Sequence, residues 1–495
     1  MKNRTTLATR ILLFVLCAAM LMSMLAACGG DGSGDTVTTD PAATTDPAAT
    51  TAPNPEDDPF AGLPDKKYEG YVFTFLNVDP ATGFWMNNTL NVEEASGVKV
   101  DQAIYTRNRI IEDKFDIVIE ELVQKDPIGF AQTTLAAQEE AYDVILDFIR
   151  DTPAMVNQNY AIDWNDLPYV DLSSDVWCQD MIKDLTIGGK LYTTSGDLSM
   201  TSYDSTSVFG FNKQMAEEQQ LGDLYQLVRD GQWTFDKLYE FSIKVAQDVD
   251  NDGKYKADDI YGIFTYNGIF AEMLTAAGVR LVTKDSEDLP VFTAKGDEKF
   301  YNIYEKVLEV LHPDGVYISC DDYSQFKGNT LKFVGGGSLF YSDVVFWIST
   351  MSEMEADYGI LPNPKYNAEQ ENYLASINAV ATSMVIPYTA SDLERTSVIL
   401  QALAQHSHYN MIETYYDEIV TVRNVRDPES REMINLAFEN RVIDLCTVYD
   451  WGAFASTMKI YMVQNKNNIA SLVDRLEKKV TAKMDEYIES CNLDI

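Results

Sequence analysis

Tyr68-Glu69-Gly70-Tyr71-Val72-Phe73-Thr74-Phe75-Leu76 is an aromatic and β-branched run that reads as a strand, and the seventy residues after it decide the fold. Residues 101–115 place Ala103, Ile104, Ile110 and Ile111 at helical spacing, which predicts a helix with those four on its buried face. Asp116-Ile117-Val118-Ile119-Glu120 is a second strand, residues 130–140 a second helix, and Tyr142-Asp143-Val144-Ile145-Leu146 a third strand. Strand, helix, strand, helix, strand is the order of a parallel sheet covered on both faces, so the fold class is α/β.

Downstream, residues 164–192 are loop-rich and lead to Gly196-Asp197 and a strand at Ser207-Val208-Phe209-Gly210-Phe211-Asn212-Lys213. Helices are expected over 214–231 and 235–249, the latter capped by Thr234 with Trp233 before it as an apolar staple. Trp164 and Trp233 read as core residues; Trp177 is left open. A strand near 261–265, helices near 267–278 and 298–311, a Gly335-Gly336-Gly337 turn before a strand at 338–341, and a strand at 380–386 follow. Residues 391–405 read as helix, and residues 350–356 as a shorter one. Near the end, Ile469, Leu472, Val473, Leu476 and Val480 recur at helical spacing with charges between them, which predicts an amphipathic helix packed on the body.

The chain has 495 residues, 46% of them hydrophobic, with 38 basic and 77 acidic residues and a net charge of −39. Such a surface repels phosphate backbones and anionic lipid heads, which argues against nucleic acid and peripheral membrane binding. Histidine is confined to His312, His406 and His408, too few for a His-based metal or nucleophile site, and neither G-x-S-x-G nor HExxH occurs. Cys178, Cys320, Cys446 and Cys491 are widely spaced and fit no zinc pattern; free buried thiols are expected, with one or two disulfides left open.

The N-terminus fixes where the chain works. Lys2, Arg4 and Arg10 precede an apolar run from Ile11, as in an export signal. The run ends in Leu25-Ala26-Ala27-Cys28-Gly29, which resembles the lipobox of bacterial lipoproteins. That resemblance implies a signal peptide over 1–27, a lipid on Cys28, and attachment to the extracytoplasmic face of the membrane through that lipid only. Residues 28–65, with the near-repeat TTDPAATTDPAATTAP, lack the apolar content for a core and read as a tether.

The sharpest local motif is Asp248-Val249-Asp250-Asn251-Asp252-Gly253-Lys254, with Asp259 at the twelfth position. It matches the D-x-[DN]-x-[DN]-G calcium loop, in which carboxylates at positions 1, 3 and 5, a backbone carbonyl at 7 and an acid at 12 surround a hard cation. A structural Ca²⁺ is therefore expected on Asp248, Asp250, Asp252, Lys254 and Asp259. Aspartate in place of glutamate at the last position shortens the reach of that ligand. No other cofactor is expected.

Gly189-Lys190-Leu191-Tyr192, Gly196-Asp197, Phe211-Asn212-Lys213, Gly231-Gln232-Trp233-Thr234, Asp357-Tyr358-Gly359-Ile360-Leu361-Pro362 and Tyr449-Asp450-Trp451-Gly452 follow one another in order across the chain. Together they resemble the extracellular solute-binding proteins of bacterial ABC importers, of the sugar-binding, maltose-binding-protein-like type. The resemblance implies two α/β lobes around a ligand cleft, a helical C-terminal region, no enzyme activity, and a monomer that passes a sugar or oligosaccharide to an ABC permease. By that likeness lobe one holds 66–200 plus 372–415, lobe two holds 201–371, and residues 416–495 pack on lobe two and the hinge. A sugar offers C–H faces that stack on rings and hydroxyls that need paired partners. The candidate ligand residues are accordingly Trp85, Asp197, Tyr203, Asp204, Tyr341, Asp343, Trp347 and Trp451, with replacement of Trp451 by alanine expected to leave folding nearly intact. Rival readings are a lipid-anchored glycoside hydrolase and a non-transport glycan-binding surface protein.

Overall fold

The structure is a computed structural model that describes residues 58–83, 86–93, 98–322, 331–349, 351, 354–417 and 427–491. Strands β1 (Tyr71–Val78), β2 (Ile117–Gln124), β3 (Val144–Phe148) and β4 (Ala161–Ile162) form a first sheet together with a late strand, β13 (Thr382–Pro387), in the order β2-β1-β3-β13-β4. β1 runs parallel to β2 and β3, as the alternating strand and helix pattern predicts, whereas β13 is antiparallel to β3 and β4. The sheet is therefore mixed. A strand that returns from more than two hundred residues away leaves no trace of its direction in local periodicity.

The first helix spans Lys99–Phe115 and buries Ile111 and Phe115 in the core around Phe73 and Ile117, and Val100 and Ile104 in a second cluster with Val208, Tyr261 and Phe264. Ile110, expected on the same face, is 40% exposed. Its neighbours Arg107 and Asn108 take the buried places instead, because their side chains satisfy the carbonyls of Leu198 and Leu90.

The second sheet contains β5 (Ser207–Asn212), β6 (Tyr261–Thr265), β9 (Tyr317–Ser319), β10 (Ser338–Val344) and β11 (Tyr358–Leu361), in the order β11-β5-β10-β6-β9. β10, β6 and β9 are parallel to one another, and β5 is antiparallel to β10 and β11. A hairpin of β7 (Val282–Lys284) and β8 (Pro290–Phe292) and a parallel pair of β12 (Ala375–Ser376) and β14 (Arg441–Val442) complete the described strands. The helix expected over 214–231 is two short ones, Lys213–Glu218 and Leu224–Arg229. Gly222 lies between them at φ +82°, and Asp223 caps the second by accepting from the Gln226 amide.

Two crossings join the sheets. Thr194 pairs with Met384 and Thr206 with Ile377, both antiparallel, so the outgoing and returning chains run side by side. The C-terminal helix Ile469–Ser490 buries Ile469, Leu472, Val473 and Val480. Cys491 at its end holds the Tyr192 hydroxyl with its carbonyl, 2.7 Å away. Trp164, Trp177 and Trp233 are all core residues, each no more than 1% exposed. Cys178, Cys320, Cys446 and Cys491 are free and buried. No described helix is long and apolar enough to cross a membrane.

Candidate functional site

A cavity of about 750 Å³ opens where parallel strands of both sheets end, within the roughly 300–1,000 Å³ of small-molecule sites. In open α/β sheets the carboxyl ends of the strands are where ligands sit, because the loops there carry side chains that no ladder hydrogen bond fixes. Arg150 and Asp151 enter it just beyond β3, Tyr266 beyond β6, Cys320 and Asp321 beyond β9, and Tyr341 and Asp343 from the second half of β10. Residues 376–380 of the returning crossing supply another wall, and residues 444–450 with Lys459 close a third.

The helix Ile269–Ala276 shows how the sequence builds one wall. Gly268, Ala271, Glu272 and Thr275 all line the cavity, and offsets of three, four and seven residues put them on one helical face. A side chain at Gly268 would stand 1.9 Å from the Tyr266 ring, so glycine lets that ring fold over the start of the helix. The Tyr266 hydroxyl donates to Glu272 Oε1 and accepts from Asn378 Nδ2 at 3.1 Å, which ties this helix to the crossing.

Burial dominates the electrostatics. The Glu272 carboxyl is pushed up to about 7 by loss of water, with the negative charge of Asp343 adding to the effect. Asp343 is likewise pushed up to about 7 by burial, although it accepts from the Tyr341 hydroxyl at 2.7 Å and the Val344 amide at 2.8 Å. Among the described residues, Glu272 Oε2 and Asp444 Oδ1 are buried carboxylate oxygens of the cavity lining with no hydrogen-bond partner. Four aromatic rings, Tyr266, Tyr341, Trp347 and Tyr449, line the same space.

The eight candidate ligand residues separate into groups. Tyr341, Asp343 and Trp347 line the cavity. Asp197, Tyr203 and Asp204 do not: Asp197 accepts from Tyr203 at 3.0 Å and meets His408 Nδ1 at 2.5 Å, and Asp204 accepts from the Asn87 amide and the Tyr415 hydroxyl. These three brace the outgoing crossing, and the hydrogen bond to Asp197 holds the His408 imidazole above its ordinary range. Trp451 is 6% exposed and stacks on Tyr449, ring centroids 4.4 Å apart and planes 2° apart, so Tyr449 faces the cavity and Trp451 backs it. Trp85 and Cys28 lie outside the described residues.

Tyr266, Glu272, Asp321, Asn378 and Asp444 were not among the sequence candidates. A lone acid inside the apolar run Ile269-Phe270-Ala271-Glu272-Met273-Leu274 was a signal, since burying a carboxyl group is costly. Tyr266, first after a strand, was another.

In the acidic loop, ligand atoms of Asp248, Asp250 and Asp252 lie within 4.8 Å of one another. The Lys256 ammonium pairs with Asp250 at 3.0 Å and with Asp252. The Lys254 amide donates to Asp252 at 2.9 Å. Asp259 is spent elsewhere: its two oxygens accept from the Val249 and Lys256 amides at 2.8 and 2.6 Å. The donor set of three convergent carboxylates fits a hard divalent cation, with Asp259 holding the loop's backbone.

No protein-family model and no curated protein matches the sequence. Solved structures do. An ABC substrate-binding protein from Listeria monocytogenes in complex with cycloalternan is 12% identical, with a TM-score of 0.51, over 86% of this chain and 100% of that one. A sugar transporter protein from Rhizobium etli in an open conformation is 12% identical, TM-score 0.52, over 86% and 99%. A cyclo/maltodextrin-binding protein complexed with maltotetraose is 14% identical, TM-score 0.53, over 86% and 98%. With two helix-clad sheets, paired crossings and a cavity at the strand ends, the chain has the two-lobed α/β fold of the ABC substrate-binding proteins.

Proposed function

We propose that the protein captures a carbohydrate in this cavity and delivers it to an ABC permease, held at the extracytoplasmic face of the membrane by a lipid on Cys28. The observation that carries the reading is the lining: aromatic rings of Tyr266, Tyr341, Trp347 and Tyr449 stand beside carboxylates and the Asn378 region at the strand ends. Rings take the C–H faces of a sugar and the polar groups take its hydroxyls. The proteins of similar fold named above were solved with cycloalternan or maltotetraose, or are described as a sugar transporter. The lipobox-like Leu25-Ala26-Ala27-Cys28 supports the anchor. In this reading residues 66–200 with 372–415 form one lobe and 201–371 the other, and the monomer carries out no chemistry on its ligand.

A thermal-shift screen of the protein against neutral mono- and oligosaccharides tests it, because a ligand that binds only the folded state raises the apparent melting temperature. A shift of several degrees with one sugar class, lost in Trp347→Ala, is the expected result. No shift with any sugar removes the carbohydrate reading. The neighbouring carboxyls Glu272 and Asp343 are also what a glycosidase would use, so release of reducing sugar during the screen would replace binding by hydrolysis.

The same reading gives the acidic loop a structural Ca²⁺ on Asp248, Asp250, Asp252 and the Lys254 carbonyl. The spacing of the motif and the convergence of its three carboxylates support it.

A further inference from the structure

The charge of the cavity points past a generic sugar. Its lining carries six carboxylates against two cations, Arg150 and Lys459. Neither cation reaches the deepest acids: Arg150 pairs with Asp151 at 3.6 Å, and Lys459 is exposed to solvent. Glu272 and Asp343 form no ion pair with a cation among the described residues; each feels instead the negative charge of another acid, Asp343 for Glu272 and Asp321 for Asp343. Glu272 is 9% exposed, and its Oε2 has no partner. A second oxygen without a partner, Asp444 Oδ1, stands on a different wall.

A buried carboxylate without a partner is costly, and a neutral hydroxyl offsets that cost only in part. A hydrogen bond from an ammonium group is charge-assisted and about twice as strong as one between neutral groups. Four aromatic rings in the same lining add a favourable surface for a cation as well as for sugar C–H groups. The net charge of −39 draws cations toward the opening and repels anions.

We propose that the cavity selects glycans bearing a protonated amine over neutral or carboxylated ones, with Glu272 as the acceptor of the ammonium group and Asp343 beside it. The inference rests on the carbohydrate reading above and adds the class of sugar. The ammonium would supply the partner that Glu272 Oε2 lacks, while the Tyr266 hydroxyl keeps Oε1 in place.

Isothermal titration of the purified protein with matched probes tests it. Glucosamine, glucose and glucuronate form one set; fully deacetylated chitotriose and cellotriose, which differ in amine for hydroxyl at the second carbon, form another. The amine is expected to bind at least tenfold more tightly than its neutral match, with glucuronate weakest. In Glu272→Gln the ratio of neutral to amine dissociation constants should fall toward one, and in Asp343→Asn it should fall by a smaller factor. Circular dichroism identifies a variant that fails to fold, in which case the other decides, and the wild-type ratio decides by itself if both fail. Neutral probes that bind as tightly as the amines overturn the inference and leave the carbohydrate reading standing. An amine preference that survives in both folded variants overturns the role of Glu272 and with it the inference. Absence of binding by every probe overturns both readings.

Discussion

Glu272 sits in a helix whose other buried residues include Ile269, Phe270, Met273 and Leu274, and its carboxyl titrates near 7 rather than near the ordinary 4.5 because burial penalises its charge. The folded protein therefore holds this proton more tightly than the unfolded chain does. The stability associated with it is fully present below about 4.5, declines as pH rises toward 7, and is lost above that. Glu272→Gln keeps the shape without the charge, so it should stabilise the ligand-free protein at pH 8 on the order of 3 kcal/mol and much less at pH 5. Scanning calorimetry at the two pH values checks the sign. Trp451 gives the opposite kind of result. Buried at 6% exposure and stacked on Tyr449, it is structural as well as adjacent to the cavity, so Trp451→Ala should cost about 3–5 kcal/mol in urea unfolding. The expectation that its loss leaves folding nearly intact does not survive that burial.

Among the elements, the helix Phe235–Val245 lies against β6 because Gly262 has no side chain. A Cβ there would stand 2.1 Å from the Ser242 Cβ and 2.5 Å from its Cα, and backbone does not give way as a flexible side-chain tip would. Gly262→Ala should force helix and strand apart and cost about 1–3 kcal/mol or more, seen as a lower urea midpoint at unchanged slope. β6 leads straight into Tyr266, so the same variant should weaken ligand binding without touching the ligand. The acidic loop between that helix and β6 makes a separate prediction. Millimolar Ca²⁺ should raise the melting temperature of the parent and have no effect on Asp250→Ala, in which the cluster loses one of its three carboxylates. Mg²⁺ should substitute poorly, since it demands stricter octahedral geometry.

At the scale of the whole molecule, paired crossings near Thr194 and Thr206 join the two sheets, and the cavity lies where their strands end. Such an arrangement lets ligand bridge both sides and bias the chain toward a closed form. Small-angle scattering with saturating ligand should show a smaller radius of gyration than without it, and an unchanged radius would leave the cavity a rigid pocket. The α/β class, the strands β1, β2, β3 and β6 and the C-terminal helix were legible in the sequence because each is set by local periodicity of two or 3.6 residues. Tyr341 and Asp343, read from the sequence as strand-end residues, line the cavity together with Trp347, and the three carboxylates of the acidic loop, within five positions of one another in sequence, converge in space. The antiparallel direction of β13 was not legible, because it depends on a partner strand far away in the chain. Nor was the division of labour between Tyr449 and Trp451, two stacked rings two residues apart, of which the packing alone decides which one meets the cavity. The burial that lifts Glu272 and Asp343 toward neutrality was decided in the same way: it arises from three separate segments closing around two acids, and no window of sequence contains all three.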